Sequence, residues 1–236
     1  MLAVVLFGGC VVEGGGGRTE PLGGPFRTLI VVRTLSTPPA GGDGPARVEI
    51  GWRGPDGAVQ PVRLARPATA FLAWGQAAVA VDDERTLWLA RDEAPPERIG
   101  RDATGALTTS SDATLLAWVT QPTVLGEIRV REASGAERTI ARELQSAGSL
   151  RFSPDGASVL FRGARLGGVA GLFVADVGDA RVRCLSNCEL RAGRPWGDRF
   201  VAGPGSADEL VFDGDRVSWL APDGQRVVRR WRRGAP

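Results

Sequence analysis

Hydrophobic residues in this chain come in short runs, each cut off by Gly, Pro, Asp, Asn or Ser before it reaches helical length. SLRFSPDGASVLFRG, residues 149–163, shows the form: apolar strand, tight turn, apolar strand. Apolar residues at i, i+3, i+4 and i+7 are nowhere sustained for three turns without Gly or Pro, so no helix is predicted. The pattern predicts an all-β protein. Its turns draw on Pro to preset φ, Asp to cap the local backbone and Gly to accept positive φ.

The pattern also repeats. SSDATLLAW at 110–118 and SPDGASVLF at 153–161 align at a spacing of 43 residues. Each is followed by a second strand and a charged return, EIRVREASGAERTI at 127–140 and GLFVADVGDARVRCL at 171–185. The same outline recurs in VEIGWRGPDGAVQPVRL at 48–64, TLWLARDEAPPERI at 86–99 and RVSWLAPDGQRVVRRW at 216–231. Taking the centre of that strand as a marker gives Trp52, Trp88, Arg129, Phe173 and Trp219, separated by 36, 41, 44 and 46 residues. A period of about 40 to 45 residues with four short strands per unit is that of a propeller blade. A single blade leaves both faces apolar, and radial packing buries each face against a neighbour. The expectation is a β-propeller of about five four-stranded blades over residues 25–236; a β-sandwich with long loops is the alternative that the recurrent spacing disfavours.

The unit Phe152-Ser153-Pro154-Asp155-Gly156, with Val159-Leu160-Phe161 and then Gly171-Leu172-Phe173-Val174-Ala175-Asp176, resembles the repeat of TolB-type β-propellers, ending in Cys184-Leu185-Ser186. Residues 106–142 are similar in outline, with Ser111 and Ala113 where that repeat has Pro and Gly. The resemblance implies a fold shared by many envelope proteins that bind other proteins.

Composition narrows the chemistry. The 236 residues include 33 Gly and 16 Pro, which fits a turn-rich fold. All 29 basic residues are Arg, and 27 acidic residues leave a net charge of only +2, which argues against a nucleic-acid partner. The sequence has no His, Lys or Tyr. Imidazole-dependent nucleophiles, zincin sites, Schiff bases and phenolic acids are therefore excluded. No catalytic residue, metal site or cofactor is predicted.

Residues 2–9 of MLAVVLFGGCVVEGGGGRTEPLGG are uncharged and mostly apolar, too short to span a bilayer but compatible with a signal h-region. Leu6-Phe7-Gly8-Gly9-Cys10 resembles a bacterial lipobox, which implies a signal over 1–10 with Cys10 as the lipidation site. A buried strand with an incidental cysteine is the alternative. Residues 11–24 are Gly-rich, as a tether should be. The resemblance, with Val11 rather than Asp after the cysteine, implies an outer-membrane anchor.

If Cys10 takes lipid, Cys184 and Cys188 are left as a pair four residues apart. They could be free thiols or, if the chain turns tightly enough to bring the Cα atoms within about 4.4–6.8 Å, a disulfide. Two thiols without His or further Cys cannot complete tetrahedral zinc. A disulfide is the favoured reading and points to the periplasm or the cell surface.

The candidate binding surface is Arg229, Arg230, Arg232 and Arg233 around Trp231, for an acidic partner or lipid headgroups, with Trp196 in the loop-like RAGRPWGDR. Each has a plain structural reading too: a closing strand with outward Arg and inward Trp, and a Trp folded over a blade edge. The carboxylates Asp82-Asp83-Glu84 read as a solvated turn rather than a calcium site, and Asp213-Gly214-Asp215 as a hairpin turn. The expected function is that of a monomeric, membrane-tethered binding scaffold in the bacterial envelope, for a protein or a glycan. The alternative is a carboxylate- or metal-dependent hydrolase or lyase, which would need acidic residues from different blades to converge at the channel mouth.

Overall fold

The computed structural model describes residues 27–36, 45–92, 94–195, 200–204, 209–221 and 223–232. Seventeen strands and no α-helix lie among them. All pairings between strands are antiparallel, as a meander of short connections requires.

The strands fall into five successive units. The first holds β1 (Thr28–Ser36), β2 (Arg47–Arg53) and β3 (Val59–Pro61). The second holds β4 (Ala68–Trp74), β5 (Ala77–Asp82), β6 (Leu87–Ala90) and β7 (Glu97–Gly100). In the third, β8 (Ala103–Thr109), β9 (Leu115–Thr120) and β10 (Gly126–Glu132) are closed by the first half of β11 (Glu137–Phe152). The second half of β11 opens the fourth, pairing with β12 (Ser158–Arg165), which continues to β13 (Gly171–Asp176) and β14 (Val182–Cys184). The fifth holds β15 (Val211–Asp213), β16 (Arg216–Leu220) and β17 (Arg226–Arg230). The three middle units thus have the expected four strands, while the first and last have three among the described residues.

Burial follows the radial packing that the apolar runs predict. One core joins units one and two through Ile50, Trp52, Ala78 and Ala80. A second joins two and three through Val79, Leu87, Leu116 and Trp118. The third lies between three and four, around Ile128, Val130, Phe161 and Phe173, whose rings stack at 5.4 Å. The fourth joins four and five through Leu160, Val174, Trp219 and Trp231. Within β12, Val159 and Phe161 face one core and Leu160 the other, so both faces of that sheet are covered. Apolar area removed from water on two faces at about 25 cal/mol per Å² is what holds such thin sheets together. Among the described residues no core cluster joins the fifth unit to the first.

Candidate binding surface

In an antiparallel meander, turns joining first to second and third to fourth strands fall at one end of the blade. Five of them are built alike: an aspartate carboxylate accepts the amide two residues on, giving Asp56–Ala58 at 3.0 Å, Asp112–Thr114 at 3.1 Å, Asp155–Ala157 at 3.2 Å, Asp179–Arg181 at 3.0 Å and Asp223–Gln225 at 3.0 Å. Gly57, Gly156 and Gly224 complete their turns at φ of 81°, 68° and 81°. In the two copies aligned at 43 residues, a serine hydroxyl also donates to the carboxylate, Ser110 to Asp112 and Ser153 to Asp155, each at 2.5 Å. The Ser110 hydroxyl and the Thr114 amide hold the Asp112 carboxyl below its ordinary value. At Asp155 burial pushes upward, but the Ser153 hydroxyl, the Ala157 amide and the Arg232 guanidinium outweigh it and the carboxyl again lies low. Asp112 and Asp155 thus favour the ionised form on turns braced by their own side chains.

Cys184 and Cys188 are joined in a disulfide with Cα atoms 5.7 Å apart. The loop they close is seated on Gly171, where any Cβ would meet the Ser186 carbonyl oxygen, and the Ser186 hydroxyl accepts from Leu172 N at 3.0 Å. Between the two cysteines, buried Asn187 adopts φ 61°. Its amide group donates to the carbonyls of Ala170 at 3.0 Å and Val201 at 2.8 Å and accepts from Val201 N at 2.8 Å. That side chain does the work of a strand partner for residue 201, and Trp219 Nε1 donates to the next carbonyl, Ala202, at 2.8 Å. Asn187 was not among the residues singled out from sequence; an Asn tolerant of positive φ inside a short Cys loop was the available signal.

The arginine run is engaged within the fold. Arg229 Nε donates to the Leu185 carbonyl at 3.0 Å, Arg230 pairs with Asp215 at 2.6 Å, and Arg232 pairs with Asp155 at 2.5 Å while lying over the Trp231 ring at 4.9 Å. Trp231 itself is buried against Phe212. The Arg229 and Arg232 contacts tie the fifth blade to the fourth, together with Arg183 to the Trp231 carbonyl and Arg151 to the Leu210 carbonyl at 2.6 Å, while Arg230–Asp215 lies within the fifth. Cys10, the 1–24 leader and tether, Trp196 and Arg233 lie outside the described residues.

The carboxylate triplet disperses. Asp82 is buried and caps its own turn, accepting from Glu84 N, Thr86 N and Trp88 Nε1 at 2.8–2.9 Å, while Asp83 pairs with Arg47 and Glu84 with Arg66. Asp213-Gly214-Asp215 forms the turn between β15 and β16, with Gly214 at φ 56°.

A groove of about 670 Å³ opens where β11 passes from the third blade to the fourth. There Glu143 takes φ 58° and the β10–β11 and β11–β12 registers both shift, bulging the strand and re-aiming Arg142. Arg142 and Arg165 line this groove, and a smaller hollow of about 230 Å³ beside the disulfide shares Arg165 with it. Sequence reading passed over both arginines, because the bulge that brings them to one cleft has no local signature.

No protein-family model and no curated protein sequence matches the chain. Solved structures do. TolB from Acinetobacter baumannii is 20% identical with a TM-score of 0.50, over 86% of this chain and 49% of that one. An oligogalacturonate lyase in complex with manganese is 12% identical with a TM-score of 0.52, over 78% and 54%. The chain spans about half the length of these structures. Likeness at such identities speaks to architecture alone, and with the five antiparallel units above it makes this chain a β-propeller.

Proposed function

We propose that this chain is an extracytoplasmic β-propeller, anchored through lipid on Cys10, that serves as a non-enzymatic binding scaffold in the bacterial envelope. The observation that carries the reading is the Cys184–Cys188 disulfide, built into the loop that joins the fourth blade to the fifth. Disulfides persist in oxidising compartments and are rare in a reducing cytosol. The rigid rim of Asp turns supports a role in presenting a fixed surface, as binding loops on a stiff scaffold do. The partner is a protein or glycan of the envelope, met by the monomer.

The test is site-specific photo-crosslinking in bacterial cells, with the photoreactive residue at exposed turn positions 134 and 179 in separate variants. The reading predicts that both positions capture the same envelope component, and that a probe on the opposite end, at position 84, does not. Capture of cytosolic components, or the same product from all three positions, would contradict it.

A further inference from the structure

The groove between the third and fourth blades has three properties that belong together. Its apolar lining is half-buried Leu125 and Val182, and Leu166 stands 74% exposed on its lip. Arg142 and Arg165 line it beside a single carboxylate, Glu143, and among the described residues neither guanidinium group makes a hydrogen bond or an ion pair. That distinguishes them from Arg27, Arg85, Arg131 and Arg183, all of which are spent on internal partners. Finally, the groove is walled by strand edges: among the described residues β14 pairs only with β13, and residues 137–141 of β11 only with β10. A free edge offers backbone donors and acceptors to an added strand, and pockets beside it read alternate side chains.

From this arrangement we infer that the groove takes an extended peptide carrying carboxylates, laid along the edge of β14 with its acidic groups on Arg142 and Arg165. An apolar side chain on the same segment covers Val182 and Leu166. Guanidinium groups match carboxylates bidentately, so the two arginines set both the sign and the register of the ligand. An acidic saccharide would satisfy the charge but not the strand edge. The inference rests on the scaffold reading and specifies where and how one partner is held.

The test is fluorescence anisotropy with the full chain and a fluorescein-labelled peptide alternating valine and glutamate, beside its glutamine counterpart and a polyuronate competitor. Both arginines are exposed, so Arg142→Gln with Arg165→Gln leaves the fold intact, which an unchanged thermal midpoint verifies. The expected result is binding of the glutamate peptide, weakened about tenfold or more both by the double substitution and by the glutamine exchange, since charge-assisted hydrogen bonds carry it. No binding, equal binding of the glutamine peptide, or indifference to the double substitution would overturn the inference. Arginine-dependent binding of the polyuronate without the peptide would overturn it in favour of a glycan. Rim cross-links that persist in the double variant while the groove test fails would leave the scaffold reading standing and remove only the groove.

Discussion

Asp155 and Arg232, 77 residues apart in the chain, meet at 2.5 Å and fasten the end of the last blade to a turn of the one before. Asp155 holds that turn together at the same time, accepting from Ser153 and Ala157. One carboxylate thus links local turn chemistry to the packing of two blades.

Ionisation of Asp155 should therefore matter to stability. Its folded pKa is lowered below the ordinary 3.8, so its contribution is fully present above that value and is lost as pH falls through the folded value. Asp112 follows the same sign. Asp155→Asn is expected to cost about 1 kcal/mol at pH 7, a fall of about 2–4 °C in thermal midpoint, given that the pair is partly solvated. The gap between the variant and the unaltered protein should narrow as pH drops below about 4, measured by thermal melts across pH.

Much of this architecture was legible beforehand, and the reason is local. Trp52, Trp88, Arg129, Phe173 and Trp219, which mark the repeat in the sequence, lie on β2, β6, β10, β13 and β16, the equivalent strand of each blade. Turn residues announce themselves at fixed offsets, so Ser153-Pro154-Asp155-Gly156 was readable as a turn. Arg229, Arg230 and Arg232 were harder. Leu185 and Asp155, the partners of Arg229 and Arg232, are set by how blade five seats on blade four, which no local pattern encodes, and Asp215 meets Arg230 through the strand pairing of blade five itself. The single strand β11, shared by two blades, and the cleft it opens at Arg142 were invisible for the same reason.

Asn187 should be the most sensitive polar position in the disulfide loop. Asn187→Ala removes three partly buried hydrogen bonds and leaves Val201 N and two carbonyls without a side-chain partner. The expected cost is about 2–4 kcal/mol, or roughly 5–12 °C in thermal midpoint, with Asn187→Asp also costly because it loses both donors. Calorimetry of the purified variants checks it.

The disulfide itself closes a short loop, so its effect should be moderate. Replacing Cys184 and Cys188 together by Ser is expected to cost about 2 kcal/mol from the chain-entropy relation, lowering the thermal midpoint by about 4–8 °C without changing the far-ultraviolet spectrum. Reduction of the unaltered protein should reproduce the shift.

Close approach makes Gly171 unlike its neighbours. A methyl group there would overlap the Ser186 carbonyl and touch the Phe173 ring, whereas one at Gly178 meets no atom within 4 Å. Gly171→Ala is expected to destabilise by about 1–3 kcal/mol, and Gly178→Ala to change stability by less than about 0.5 kcal/mol. Denaturant midpoints of the two variants side by side settle the comparison.

The compartment in which this propeller resides decides whether it serves as an envelope scaffold. Intact mass of the protein from envelope membranes of a bacterial host, expressed with its native upstream region and measured before and after reduction and thiol alkylation, tests that most directly. The predicted result is a chain beginning at an acylated Cys10, with Cys184 and Cys188 alkylated only after reduction. A chain that retains Met1 and offers three thiols before reduction would contradict it.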